Sequence, residues 1–255
     1  MNTIITIAKN TFLETIRDRV LMSVWFVIIG IILFSLFVGS ISHDHNVRII
    51  TNFSITAIYL LQVFIALFIG SFLMYKEIER KTFYLIIPKP ISRQAIIIGK
   101  MLGLATTTFA VTVLSTIFLF VLLLIVGNTS YIPAITLSAA LSFIESILLI
   151  LIALLFSSFM SPVLAFISSL AVYFIAHGGD IYRFMFTYTD NVITEYVFKT
   201  IYTIVPNFEK FNIRNDVVYG TLPSLPMLLY TIIYGVVCGA LLLLIAVNVF
   251  KKRDF

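Results

Sequence analysis

Charge is scarce in this chain of 255 residues: 11% are Asp, Glu, Lys or Arg, while 60% are hydrophobic. With a mean hydropathy of +1.09, that balance excludes an ordinary soluble domain, in which roughly a quarter of residues are charged. Cysteine is nearly absent. The lone Cys238 cannot form an internal disulfide, and its place inside an apolar run says nothing of redox compartment. A Gly-x-x-x-x-Gly-Lys-Ser/Thr phosphate loop is missing too, since Gly99-Lys100 is followed by Met101 and has no glycine at the upstream spacing. The chain is therefore not expected to hydrolyse ATP or to carry a cofactor of its own. Nor does a paired acid and base or a metal-ligand cluster border the apolar runs, which disfavours a membrane-integral enzyme acting on lipid.

Apolar sequence fills the chain instead, in runs at 20–41, 53–75, 101–126, 132–156 and 225–250, with a shorter one at 163–176. A hydrocarbon core of ~30 Å takes ~20 helical residues to cross, and a backbone in lipid must bond to itself. The expected fold is all-α, a polytopic membrane protein with six transmembrane helices in a single domain over 1–255. The first run is longer than the ~7–15-residue apolar core of a signal peptide and reads as an uncleaved span. Lys and Arg set the orientation. Of seventeen, only Arg48, Arg183, Lys199, Lys210 and Arg214 fall in one set of alternate gaps. The positive-inside rule then places both termini and the loop 76–100 in the cytoplasm and the segment 177–224 outside, in a cytoplasmic (inner) membrane. Bilayer topology thus accounts for the excess of five positive charges, and no nucleic-acid partner is implied.

Two flanking segments have helical apolar faces. Within 3–18, Ile4, Ile5, Ala8, Phe12, Leu13 and Ile16 share one side, opposite Thr6, Asn10, Glu14, Arg17 and Asp18. This reads as an interfacial amphipathic helix, the alternative being a cytoplasmic extension of the first span. In the external segment, Val192, Ile193, Tyr196, Val197, Thr200, Ile201, Ile204 and Val205 form another face, with Asp190 as a cap and Pro206 as a stop. Such a helix lies on the membrane or re-enters it before the last span. Residues 206–216 mix aromatics with Glu209, Lys210, Arg214 and Asp216, suiting either a cap over the external exit or a solvated, ion-paired loop.

Inside the spans one ionisable residue stands alone. Glu145 falls near the middle of the fourth run, where a carboxyl must face protein or water, be protonated, or find a donor. It is either a transport-pathway residue or a helix-holding carboxyl with Ser142 and Ser146 nearby. The pairs Gly99 with Gly103 and Gly235 with Gly239 allow close helix packing, within the chain more readily than across a dimer. Tyr59, Tyr75, Tyr131, Tyr230 and Tyr234 suit interfacial anchors better than ligands. His43, His45 and His177, with Asp44 and Asp180, are weak metal candidates, and no metal site is expected from them.

The loop KEIERKTFYLIIPKPISRQAIIIGK carries the most specific local chemistry. Glu77 stands four residues before Lys81 and three before Arg80, bracing a helix. Pro88 and Pro90 stop it, and Ser92 is placed to cap the helix that follows. A short helix, a proline turn and a capped return over 77–92 make a rigid tip suited to receive force. These residues carry a resemblance. Glu77, Glu79, Thr82, Leu85, Pro90, Ser92, Arg93, Gly99 and Lys100 resemble the signature of ABC-2 type transporter permeases, and residues 7–21 look like the opening of the copper-enzyme-maturation group of that family. Lys81 departs from a glycine frequent there. The resemblance covers the whole layout and implies a type V ABC exporter-like fold, with 77–92 as a coupling helix. Its ATPase-coupling residues would be Glu77, Glu79, Arg80, Lys81, Thr82, Leu85, Pro88, Pro90, Ser92 and Arg93. It further implies two copies of a separate ABC ATPase subunit holding ATP and Mg, and a second permease chain, identical or homologous, in contact with membrane lipid. An ion-coupled carrier using Glu145 is the other reading.

Overall fold

The computed structural model describes residues 2–41, 46–73, 92–189 and 191–251, without the side chains of Asn2 and Arg93. Among these residues every regular element is helical. Helix α1 (Asn2–Ile16) leads into α2 (Arg19–Ile41), α3 (Asn46–Leu73), α4 (Arg93–Val126) and α5 (Ile132–Ser157). Then come α6 (Pro162–Ala176), α7 (Gly179–Tyr188), α8 (Val192–Ile204), a 3-10 turn (Phe208–Phe211), α9 (Arg214–Tyr219) and α10 (Leu225–Lys251). By length and apolarity α2, α3, α4, α5 and α10 can each cross a membrane, so this is a multi-pass helical membrane protein.

The short run at 163–176 forms α6, which together with α7 makes a candidate sixth span, broken or re-entrant. Helix α6 has 15 residues, a reach of ~22 Å that falls short of a ~30 Å core. It meets α7 at a bend of 56°. Residues His177, Gly178 and Gly179 break the helix, because Gly179 abuts the Asn207 side chain more closely than any Cβ would permit. From there α8 turns back along α7, with Tyr182 stacked on Phe198 at 5.8 Å and Phe186 edge-on to Tyr202 at 5.5 Å. The cap of α8 is Asn191, whose Oδ1 accepts the amides of Ile193 and Thr194 at 2.9 and 3.4 Å. Asp190, the expected cap, lies outside the described residues. The helix stops at Ile204, two residues short of Pro206, which cannot donate to it.

Helix α3 is the hub. It packs against α2, α4 and α5 and is buried along most of its length, whereas α2 and α10 bury one stripe each. It starts seven residues before the expected run, carrying Asn46, Arg48 and Asn52 in helical form. Near its far end Ile65–Ile69 form a π-turn, a one-residue insertion that often marks functional places in helices. Helix α4 ends on Gly127, whose φ of 80° is the left-handed conformation glycine adopts without a Cβ penalty. The amides of Gly127 and Asn128 close on Leu124 and Leu123, and the short turn makes α4 and α5 an antiparallel pair.

Lipid offers helices no hydrophobic reason to associate, so close packing and polar contacts must hold them. Gly99 and Gly103 receive α1: a Cβ would fall 2.7 Å from Ile7 Cβ at the first and 2.5 Å from Thr11 Cβ at the second. Thr11 and Thr15 of α1 are buried against α4, and Ile5 and Leu13 are left facing outward. Ile7, Thr11 and Thr15 thus lie on the face of α1 turned to the protein. Gly235 lies against Ile144 and Phe211, and Gly239 against Leu148. Both glycine pairs therefore pack within the chain.

Candidate functional site

Four side chains meet in the centre of the bundle. Glu145 on α5 is 1% exposed, and its Oε1 accepts a 2.7 Å hydrogen bond from the Tyr59 hydroxyl on α3. That hydroxyl also lies 2.9 Å from Tyr173 Oη on α6 and 3.0 Å from His177 Nε2 at the helix break. His177 Nε2 is 3.4 Å from Glu145 Oε1. The other ring nitrogen, Nδ1, sits 3.0 Å from the Tyr173 carbonyl. A carbonyl only accepts, so Nδ1 must carry a proton. In neutral His177 the Nε2 is then a lone pair facing the phenol and the carboxyl. Once protonated it becomes a donor to Glu145. Two arrangements that differ by one proton share the same heavy-atom positions.

Glu145 Oε2 has no hydrogen-bond partner among the described residues. An unsatisfied buried polar atom costs about 1–3 kcal/mol, so this oxygen is a place for a proton or a donor supplied from outside the chain. Ser142 and Ser146, the neighbours expected from sequence, do not serve it. Ser142 Oγ donates to the carbonyls of Ser138 and Ala139 and Ser146 Oγ to that of Phe143, which is the usual backbone bond of a serine inside a helix.

The lid over this cluster comes from residues that resemble a surface loop in sequence. Phe208 and Phe211 are fully buried, and Phe208 meets the His177 ring edge-on at 5.8 Å. The Asn207 amide donates to Tyr234 Oη of α10 at 2.8 Å. Arg214 places its guanidinium 3.8 Å above the Tyr59 ring, while its Nε donates to Asn212 Oδ1 at 2.8 Å and Asn212 Nδ2 donates to Glu209 Oε1 at 3.0 Å. Lys210 stands 4.0 Å over the Tyr234 ring. Segment 207–219 is thus inserted into the bundle and fastened at both ends, and it is not a solvated loop.

Sequence reasoning found Glu145 and missed its company. Tyr59 passes for an interfacial anchor but is 3% exposed in the core. Arg214 passes for a loop charge. His177 passes for a metal candidate, yet its ring is committed to Tyr59, Glu145 and Tyr173. Among the described residues no group of three metal-capable side chains occurs, and His43 and His45 lie outside them. The available signal was the spacing of Phe208, Phe211, Val217 and Val218, too apolar for an exposed connection.

Of the coupling residues, Glu77, Glu79, Arg80, Lys81, Thr82, Leu85, Pro88 and Pro90 lie outside the described residues. Ser92 is the N-cap of α4, its Oγ accepting the Ala95 amide at 3.3 Å, and Arg93 opens that helix. Lys100, counted in the sequence as a surface charge, is fully buried. Compared with protein-family models and with curated proteins, the chain matches none.

Proposed function

We propose that this chain is the membrane-spanning permease subunit of an ATP-driven exporter. It would pair with a second permease chain and with two copies of a separate ATPase subunit, and sit in the cytoplasmic membrane with both termini inside. One observation carries the reading: the helix broken at His177–Gly179 whose return segment, 207–219, re-enters the bundle and closes over Glu145. A bundle sealed from one side by an inserted segment, with a proline-ended loop beyond the far end of α3, suits alternating access. Force delivered at residues 77–92 would reorient the spans and release the inserted segment. The ABC-2 likeness of residues 77–100 supports the same division of labour. Co-purification with an ATPase should be abolished by Arg93→Glu and by deleting residues 82–90, and vesicle transport should require ATP. Cargo movement by the purified chain without a nucleotide-hydrolysing companion would overturn the proposal.

The unpartnered Glu145 Oε2 favours a second reading, a carrier coupled to an ion gradient with Glu145 as the coupling group. Uptake driven by a pH gradient alone, and lost in Glu145→Gln, would select it.

A further inference from the structure

Away from the Glu145 cluster, α4 and α5 border a half-open groove of about 430 Å³, within the range of roughly 300–1,000 Å³ that small ligands occupy. Its α4 wall runs from Phe109 to Phe120 and its α5 wall from Thr136 to Ile144. At ~1.5 Å per residue these walls are ~16 Å and ~12 Å long, so the groove is a slot lying along the helix axes, as lipid chains do. Phe109 and Phe143 meet edge-on at 5.5 Å and close its deep end. The other end points toward the turn at residues 127–131. No charged residue lines the slot, and its surface is almost entirely carbon; Thr112 Oγ1 accepts from Gln62 and Thr136 Oγ1 donates to the Ile132 carbonyl. Phe109, Val113, Ile117, Thr136 and Ala140 are exposed, so the slot is open along one side over its whole length.

Chemistry and length decide among occupants. No charged side chain is there to hold a polar solute. A slot ~16 Å long matches one leaflet's share of a ~30 Å hydrocarbon core, so one extended hydrocarbon chain fits its length and its chemistry, and van der Waals packing is the force available inside a bilayer. We infer that the α4–α5 slot binds one acyl chain of a membrane lipid, inserted from the leaflet at the 127–131 end with its terminus against the Phe109–Phe143 pair. The slot itself does not depend on the transport proposal; only calling that leaflet the outer one does.

The full chain in phosphatidylcholine vesicles, doped with a phosphatidylcholine bearing a diazirine near the end of one acyl chain, tests this. On photolysis, peptides containing Phe109, Val113 and Phe143 should be labelled several-fold more than the α10 peptide containing Val236 and Val237, which are comparably exposed. Ala140→Trp, placed on an outward position that tolerates bulk, should remove that excess and leave α10 labelling unchanged. Labelling that simply follows exposed area, or an excess that survives Ala140→Trp, would overturn the inference. So would disulfide-linked dimers of Ala140→Cys in a Cys238→Ser background, which would put a second copy at the slot.

Discussion

Replacing Tyr59 by Phe removes one oxygen and keeps the ring on which Arg214 rests. That oxygen touches three groups: Glu145 Oε1 at 2.7 Å, Tyr173 Oη at 2.9 Å and His177 Nε2 at 3.0 Å. Without it, the nearest remaining partner for Oε1 is His177 at 3.4 Å, too long for a strong bond. Oε2 has no partner to begin with, so the whole carboxyl would be left poorly satisfied. Stranding a buried polar group costs about 1–3 kcal/mol, whereas interhelical polar contacts in membranes average only ~0.6 kcal/mol and reach ~1.7. Loss of one oxygen that serves three partners belongs near the top of the second range, at about 1.5 kcal/mol. The assay is a double-mutant cycle of Tyr59→Phe with Glu145→Leu, read by reversible unfolding in mixed micelles. Coupling of about 1 kcal/mol or more is expected, well outside the ~0.3–0.5 kcal/mol within which independent sites add. Additive losses would mean that the phenol does not hold the carboxyl, and the cluster would lose its claim to be one unit.

Gly103→Leu should drive α1 off α4, because even a Cβ there would sit 2.7 Å from the Ala8 carbonyl oxygen; a cysteine at Thr11, buried in the native chain, should become reactive to a water-soluble maleimide. Asn191→Ala should cost about 1 kcal/mol, the usual worth of such a cap, and appear as faster amide exchange over residues 192–196 with the rest of the bundle unchanged. Arg214→Met keeps the apolar stem but loses the cation over Tyr59, worth ~0.5–2 kcal/mol, so a protease site at residues 207–213 should open before any other region unfolds. In a Cys238→Ser background, single cysteines at Ser130 and Thr221 should be labelled from outside intact cells and one at Lys9 only after permeabilisation. The reverse pattern would invert the orientation and undo the placement of the coupling loop.

The spans were legible because lipid imposes a rule that a single sequence displays: ~20 apolar residues, uncharged, with Lys and Arg kept to one side. Runs 132–156 and 225–250 agree with α5 and α10 to within one or two residues. Legibility failed where polar residues extend a helix past the hydrocarbon, as Asn46 and Arg48 do, and where distant sequence packs against a break that the run ending at Ala176 did show. Nothing local to His177–Gly179 announces that Asn207 will lie against Gly179. The same applies to the site. Glu145 announces itself by its cost, but Tyr59, Tyr173 and Arg214 are ordinary residues at membrane edges until packing brings them within 4 Å of one another. Hydropathy weighs each residue alone, whereas a polar cluster in lipid exists only as a set of partners.

Partnership also explains why the Glu145 cluster is built across α3, α5, α6 and the inserted segment rather than within one helix. A carboxyl satisfied by its own helix would be indifferent to how the bundle is arranged. Satisfied by Tyr59 and approached by His177, it is stable only while α3 and the α6–α7 break keep their present distance, so any separation of those elements exposes the full cost of the buried group. Tyr59 and the end of α3 at Leu73 are joined by ~21 Å of continuous helix, interrupted only by the π-turn at Ile65–Ile69. Displacement at Leu73 therefore has a rigid route to the phenol, which the proposed coupling role of residues 77–92 would use, and the π-turn is the place along it where helical register can slip. Deleting Ala66, the smallest of the buried residues within that turn, should restore regular helix and rotate one end of α3 by ~100° relative to the other. Either Tyr59 or the start of the loop must then leave its place. If transport and the Tyr59–Glu145 coupling both survive the deletion, α3 is not the element that connects them.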